Sequence, residues 1–78
     1  MVKRDAKREY ENTRSDIANL MGFFECELDK ERTDILWGDV ADLKNVRFRL
    51  IEALAFMTRT RTADIKEALE GLRTQETD

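Results

Sequence analysis

The sequence predicts an all-α protein: an antiparallel helical hairpin with a short third helix, dimerising with a second copy into a helical bundle. The 78-residue chain has no proline, its apolar residues recur at spacings of three and four, and its central segment is unusually apolar. A chain of this length fits a single domain, residues 1–78. Alone it buries only roughly 60% of the surface exposed on unfolding, so self-association is the available source of further stability.

The first helix is predicted over about residues 5–30. Its apolar side chains form one narrow stripe at spacings of three, four and seven residues: Tyr10, Ile17, Met21, Phe24 and Leu28. Ser15 is a good N-cap residue, so the segment before it is alternatively a separate or frayed turn.

The second helix, predicted over about residues 34–58, is the most informative segment. At ~100° per residue its apolar side chains cover an arc of roughly 200°, whereas a surface helix needs a little over ~100°. One stripe of this arc is expected to face the first helix. The other is predicted to be the interface with a second copy and consists of Trp37, Val40, Ala41, Phe48, Ile51 and Ala55.

A third, short helix is predicted over about residues 63–72, with Thr62 as its N-cap. It carries Ile65, Ala68, Leu69 and Leu72 on one face. About three turns are too short to cover the whole second stripe, and the polar residues 74–78 are expected to be loose.

Two positions compete for the turn between the first two helices. A turn at Glu31–Thr33 pairs apolar residues at every level of an antiparallel hairpin, for example Leu28 with Leu36. The alternative places the stop at Gly38 and sets Leu28 against Arg49, which leaves an apolar side chain beside a charge.

Arg47 interrupts the apolar arc of the second helix. A buried guanidinium needs a carboxylate, and Asp16, within the chain or from a second copy, is the predicted partner in an ion pair that sets the register. Alternatively, only the stem of Arg47 is buried and its charge reaches solvent.

The amino-acid composition restricts which catalytic mechanisms are possible. The chain has no histidine and one cysteine, so histidine-dependent triads, Cys/His zinc sites and internal disulfides are excluded. Cys26 lies off the apolar stripe and is expected to be a partly exposed residue without a role. No Gly-rich phosphate loop is present, because the three glycines are isolated. We therefore expect no catalytic residues, no cofactor and no metal site.

Charge is segregated along the chain. Residues 23–45 hold seven acidic and three basic side chains, and residues 46–62 hold four basic and one acidic. Two copies packed antiparallel would bring unlike charges together. No run approaches the ~20 apolar residues of a membrane span, and the amino end leads into charged sequence, so a cytoplasmic location is expected.

The leading functional hypothesis is a non-enzymatic interaction or structural module that forms a homodimer, or binds another protein, through its central helix. One alternative is an RNA-binding hairpin dimer that uses the basic open end. Its size and topology are similar to those of the plasmid Rop type, but no motif is shared, and acidic residues interleave the basic ones, which argues against nucleic acid. A second alternative, a divalent-metal phosphohydrolase of the all-α MazG type, lacks the adjacent glutamates of those enzymes.

Overall fold

The computed structural model describes the backbone of residues 3–76 and the side chains of residues 5–73. Three helices account for most of it: α1 (Lys3–Asp29), α2 (Trp37–Thr58) and α3 (Thr62–Glu76). Between residues 3 and 76 there is no strand, so the predicted all-α class is confirmed. The chain divides between Thr33 and Asp34 into two units, each of which is described by itself. The antiparallel pairing of the first two helices stays a prediction.

In the first unit, α1 is a single uninterrupted helix. It passes through Ser15 without a break, so the predicted separate turn before Ser15 is wrong. The helix continues because no residue in this segment is a strong helix breaker apart from Gly22, and a lone glycine costs only ~1 kcal/mol in a helix. The large apolar side chains of α1 are all at least a third exposed.

The end of α1 is marked by a local ion pair. The Lys30 ammonium donates a hydrogen bond to Glu27 Oε1 at 2.8 Å, and the Lys30 backbone N–H donates to the Glu27 carbonyl at 3.3 Å. The hydrogen bond from Lys30, reinforced by the attraction of its charge, lowers the pKa of the Glu27 carboxyl below its ordinary value.

The stabilisation from the Lys30–Glu27 ion pair should depend on pH. A lowered folded-state pKa means that the stabilisation is present above the unfolded-state pKa of Glu27 and is lost as the pH falls through the folded-state pKa. Lys30→Met should therefore raise the pKa of Glu27 toward its ordinary value in a carboxyl-detected NMR titration, whereas Lys44→Met should leave it unchanged. A Glu27 pKa that is the same with and without Lys30 would contradict the assignment.

The second unit begins with an extended segment that delays the start of α2. The chain is non-helical over residues 30–36, which includes Glu31–Thr33, whereas Gly38 is the second residue of α2. The predicted alternative stop at Gly38 is therefore wrong. Helix α2 begins three residues after its expected start at about residue 34, because the Asp39 carboxylate accepts a hydrogen bond from the Leu36 backbone N–H at 3.0 Å. This bond holds Leu36 extended as the cap residue.

The N-terminus of α3 is capped in the same way as that of α2. The Arg61 backbone N–H donates to the Asp64 carboxylate at 3.4 Å, and the Arg61 guanidinium pairs with the other oxygen of that carboxylate at 3.1 Å. The Arg61 carbonyl accepts the first helical hydrogen bond, from Ile65. Arg61 is therefore the cap residue, and Thr62, predicted as the N-cap, lies inside the helix.

The C-terminal boundary of α3 also differs from the expectation. The helix extends to Glu76 rather than ending at residue 72, because no proline or terminal glycine follows Leu72 to stop it. Residues 74–76, which belong to the tail that was expected to be loose, are therefore helical. Residues 77 and 78, the last of that tail, lie outside the described residues.

Between α2 and α3 the chain reverses through a left-handed residue. Arg59 has φ 59° and ψ 39°, and the backbone N–H groups of Arg59 and Thr60 both donate to the Ala55 carbonyl. This is a Schellman-type helix end, in which glycine usually occupies the left-handed position. The turn sends α3 back along the C-terminal half of α2.

The left-handed conformation of Arg59 predicts a stabilising substitution. A side chain in the left-handed conformation costs roughly 1–2 kcal/mol, which substitution by glycine removes. The larger unfolded-state entropy of glycine offsets part of that gain. Arg59→Gly should therefore raise the free energy of unfolding by about 0.5–1 kcal/mol in urea titrations. Arg59→Ala, which removes the charge but keeps the strain, should give no such gain. Equal effects of the two changes would contradict the strain argument.

The packed centre of the second unit is small. Ile51 and Ala55 are the only buried side chains among residues 5–73, with 5% and 7% of their surface exposed. Ile65 and Leu69 of α3 are half-buried, and Leu69 lines the same groove as Ile51. Contact between α2 and α3 thus supplies the core of this unit.

Candidate interaction surface

An exposed group of apolar side chains marks the N-terminal end of α2. We call this group, Ile35, Leu36, Trp37, Ala41 and Phe48, the α2 patch. Trp37 is 84% exposed and Phe48 is 48% exposed. Trp37, Ala41 and Phe48 lie within about 40° of arc on the helix at ~100° per residue, so they share one side of it. Exposed apolar side chains grouped on one side of a helix are typical of an interaction site.

Three residues of the α2 patch come from the predicted interface stripe. The structure places Trp37, Ala41 and Phe48 on the surface, and Val40 half-buried at its edge. Ile51 and Ala55, the remaining two residues of the stripe, continue the same side toward the C-terminus and are buried. The C-terminal half of the stripe is thus occupied within one copy and the N-terminal half is open.

The length of α3 explains this division. The groove between the two helices runs beside Ile51 and Arg47 on α2, and Arg73 lines it from α3. Three residues after Arg73 the helix ends at Glu76. At ~1.5 Å per residue these three residues add only about 5 Å. The first turns of α2, around Trp37, therefore extend beyond the reach of α3.

The residues in the gap before α2 were not predicted as part of this surface. Ile35 and Leu36 are 63% and 70% exposed and precede the helix rather than belonging to it. The signal that could have located them is Asp39, which stands three residues after Leu36 where an acidic side chain can cap the start of a helix. No Ser, Thr, Asp or Asn occupies the cap position itself, which concealed the boundary.

A second apolar side of α2 is also only partly covered. It comprises the stripe expected to face the first helix, and four of its side chains are between 37% and 69% exposed: Leu43, Leu50, Leu54 and Met57. These residues lie about 100° or more around the helix axis from Trp37, Ala41 and Phe48. The α2 patch is therefore a separate surface.

Arg47 lies in the groove between α2 and α3. The groove encloses about 220 Å³ and is lined by Arg47, Ile51, Lys66, Leu69, Glu70 and Arg73. Three basic side chains and one acidic one thus surround an apolar floor, and long basic stems can cover such a floor while their charges stay in water. Asp16 is an exposed residue of α1, and the ion pair between it and Arg47 stays a prediction.

The described acidic side chains and Cys26 form no metal site. Among the described residues no three cysteine, aspartate or glutamate side chains converge on a position that could hold a metal ion. Cys26 is exposed and carries a free thiol, as its position off the stripe predicted. Within the described part of the chain, no helix combines the length and the hydropathy that crossing a bilayer requires.

The chain was compared with models of protein families, with curated proteins and with solved structures. None of the three comparisons found a match. The candidate function therefore depends on the surface itself.

Proposed function

We propose that this chain is a non-enzymatic interaction module that self-associates through the apolar face of α2. The observation that carries the proposal is the division of one helical stripe into a buried half, Ile51 and Ala55, and an exposed half, Trp37, Ala41 and Phe48. Burial of apolar surface contributes about 25 cal/mol per Å², and aromatic side chains offer 150–250 Å² each. Trp37 and Phe48 are therefore the anchors of the contact.

The small core supports the same proposal. Two buried side chains among residues 5–73 leave most large apolar groups in water. Small helical chains without disulfides or metals commonly gain the missing stability by oligomerising. A second copy supplies an apolar surface of matching size and requires no other component.

The test is the oligomeric state of the pure protein. Sedimentation from about 1 µM to 1 mM should show a monomer converting to a dimer. Trp37 is the only tryptophan in the chain, so its fluorescence emission should shift to shorter wavelength over the same concentration range as it becomes buried. A strict monomer at 1 mM would overturn self-association.

Alanine variants locate the contact. Phe48→Ala should weaken the dimer at least tenfold, because large aromatic residues are the usual hot spots of interfaces. Phe56→Ala is the matched control: Phe56 is 83% exposed on the same helix but lies about 80° away from Phe48 around the axis. A dimer that weakens equally with both variants would place the contact elsewhere on α2.

A further inference from the structure

The α2 patch belongs to a regular helical seam. Side chains spaced by four, three, four, three and four residues follow one line along α2, the spacing at which two helices interlock: Trp37, Ala41, Lys44, Phe48, Ile51 and Ala55. The last two positions are buried and the first four are exposed. The open part of the seam, from Trp37 to Phe48, is about 17 Å long at ~1.5 Å per residue.

We infer that this open seam pairs with the same seam of a second copy in antiparallel orientation. The inference rests on the proposed function and specifies the geometry of the partner. It places Trp37 of one copy against Phe48 of the other, and Ala41 against Lys44. The two-fold axis then crosses the pair at the level of residues 42 and 43.

Charge supports the antiparallel orientation. Asp34 precedes the open seam and Arg49 follows it. A parallel pair would bring Asp34 of the two copies to the same level, whereas an antiparallel pair sets Asp34 of one copy near Arg49 of the other. Opposed helix dipoles add to the same preference.

Side-chain size at the seam favours the same orientation. In a parallel pair Lys44 would face Lys44 of the second copy, and two ammonium groups would compete for one position. In the antiparallel pair Lys44 crosses Ala41, whose small side chain leaves room for the lysine stem to run out to solvent. The two aromatic residues then close the ends of the seam.

Spin-label distances test the geometry. In a Cys26→Ser background, labels at Asn45→Cys and, separately, at Glu52→Cys lie at exposed positions on one flank of the seam. Antiparallel pairing offsets the two copies along the axis by about 8 Å at residue 45 and by about 28 Å at residue 52. We therefore expect the interspin distance at residue 52 to exceed that at residue 45 by about 20 Å. Sedimentation of the labelled proteins checks that they still associate.

The outcomes separate this inference from the proposed function. Equal distances at the two positions would show a parallel pair and overturn the inference while self-association stands. Long distances at both positions, beyond about 30 Å, would place another part of the second copy on the seam and would also overturn it. Absence of any dimer would remove the proposed function together with the inference.

Discussion

Replacement of Ile51 by alanine is expected to destabilise residues 34–78 by about 2–3 kcal/mol. Ile51 is the only large side chain that is buried among residues 5–73, with 5% of its surface exposed, and it lines the groove together with Leu69 of α3. Truncation removes apolar contacts from both helices and leaves a cavity that so small a core can only partly close. Since small domains have only a few kcal/mol of stability, α3 should detach from α2 in a large fraction of molecules.

The measurement is urea unfolding followed by circular dichroism, at a protein concentration low enough to keep the chain monomeric. Ile35→Ala is the matched control, because Ile35 is 63% exposed and its truncation leaves no cavity. The control should change the free energy of unfolding by less than ~0.5 kcal/mol. If Ile51→Ala behaves like Ile35→Ala, contact between α2 and α3 does not form the core of this unit.

The sequence predicts the number and class of helices because their apolar residues repeat at helical spacing. It places the interior of each helix well and its ends less well. The start of α2 depends on Asp39 reaching back to the Leu36 backbone, and the start of α3 on Asp64 reaching back to Arg61. Both caps come from the third residue of the helix, so a search for a capping side chain at the boundary itself misplaces it.

Burial on α2 is harder to predict than helicity. The helical arc groups Ile51 and Ala55 with Trp37 and Phe48, and sequence periodicity alone cannot tell which part of that stripe another helix of the same chain will cover. The answer depends on Arg59, whose left-handed conformation directs α3 back along α2. Left-handed backbone at an arginine has no sequence signal, since glycine is the usual residue there. The basic groove around Arg47 is unpredictable for the same reason, because Lys66 and Arg73 come from α3.

Lys44→Leu is expected to strengthen self-association by about a hundredfold. Lys44 is the one polar residue among the four open positions of the seam. Burial of one leucine side chain contributes roughly 1.5–3 kcal/mol, and each dimer would bury two. We therefore expect the free energy of dimerisation to become more favourable by about 3 kcal/mol, which corresponds to the hundredfold change. The substitution also removes two positive charges from the contact and should reduce the salt dependence of the dissociation constant.

The control is Lys30→Leu, which adds the same apolar side chain and removes the same charge at an exposed position in the other unit. Sedimentation at two salt concentrations should show tighter association for Lys44→Leu alone. A dissociation constant that does not change would mean that Lys44 lies outside the contact, and the seam of α2 would then not be the surface through which two copies meet. Equal tightening by both variants would instead indicate nonspecific association of added apolar surface. Only a selective effect at Lys44 ties the open half of the stripe to the second copy.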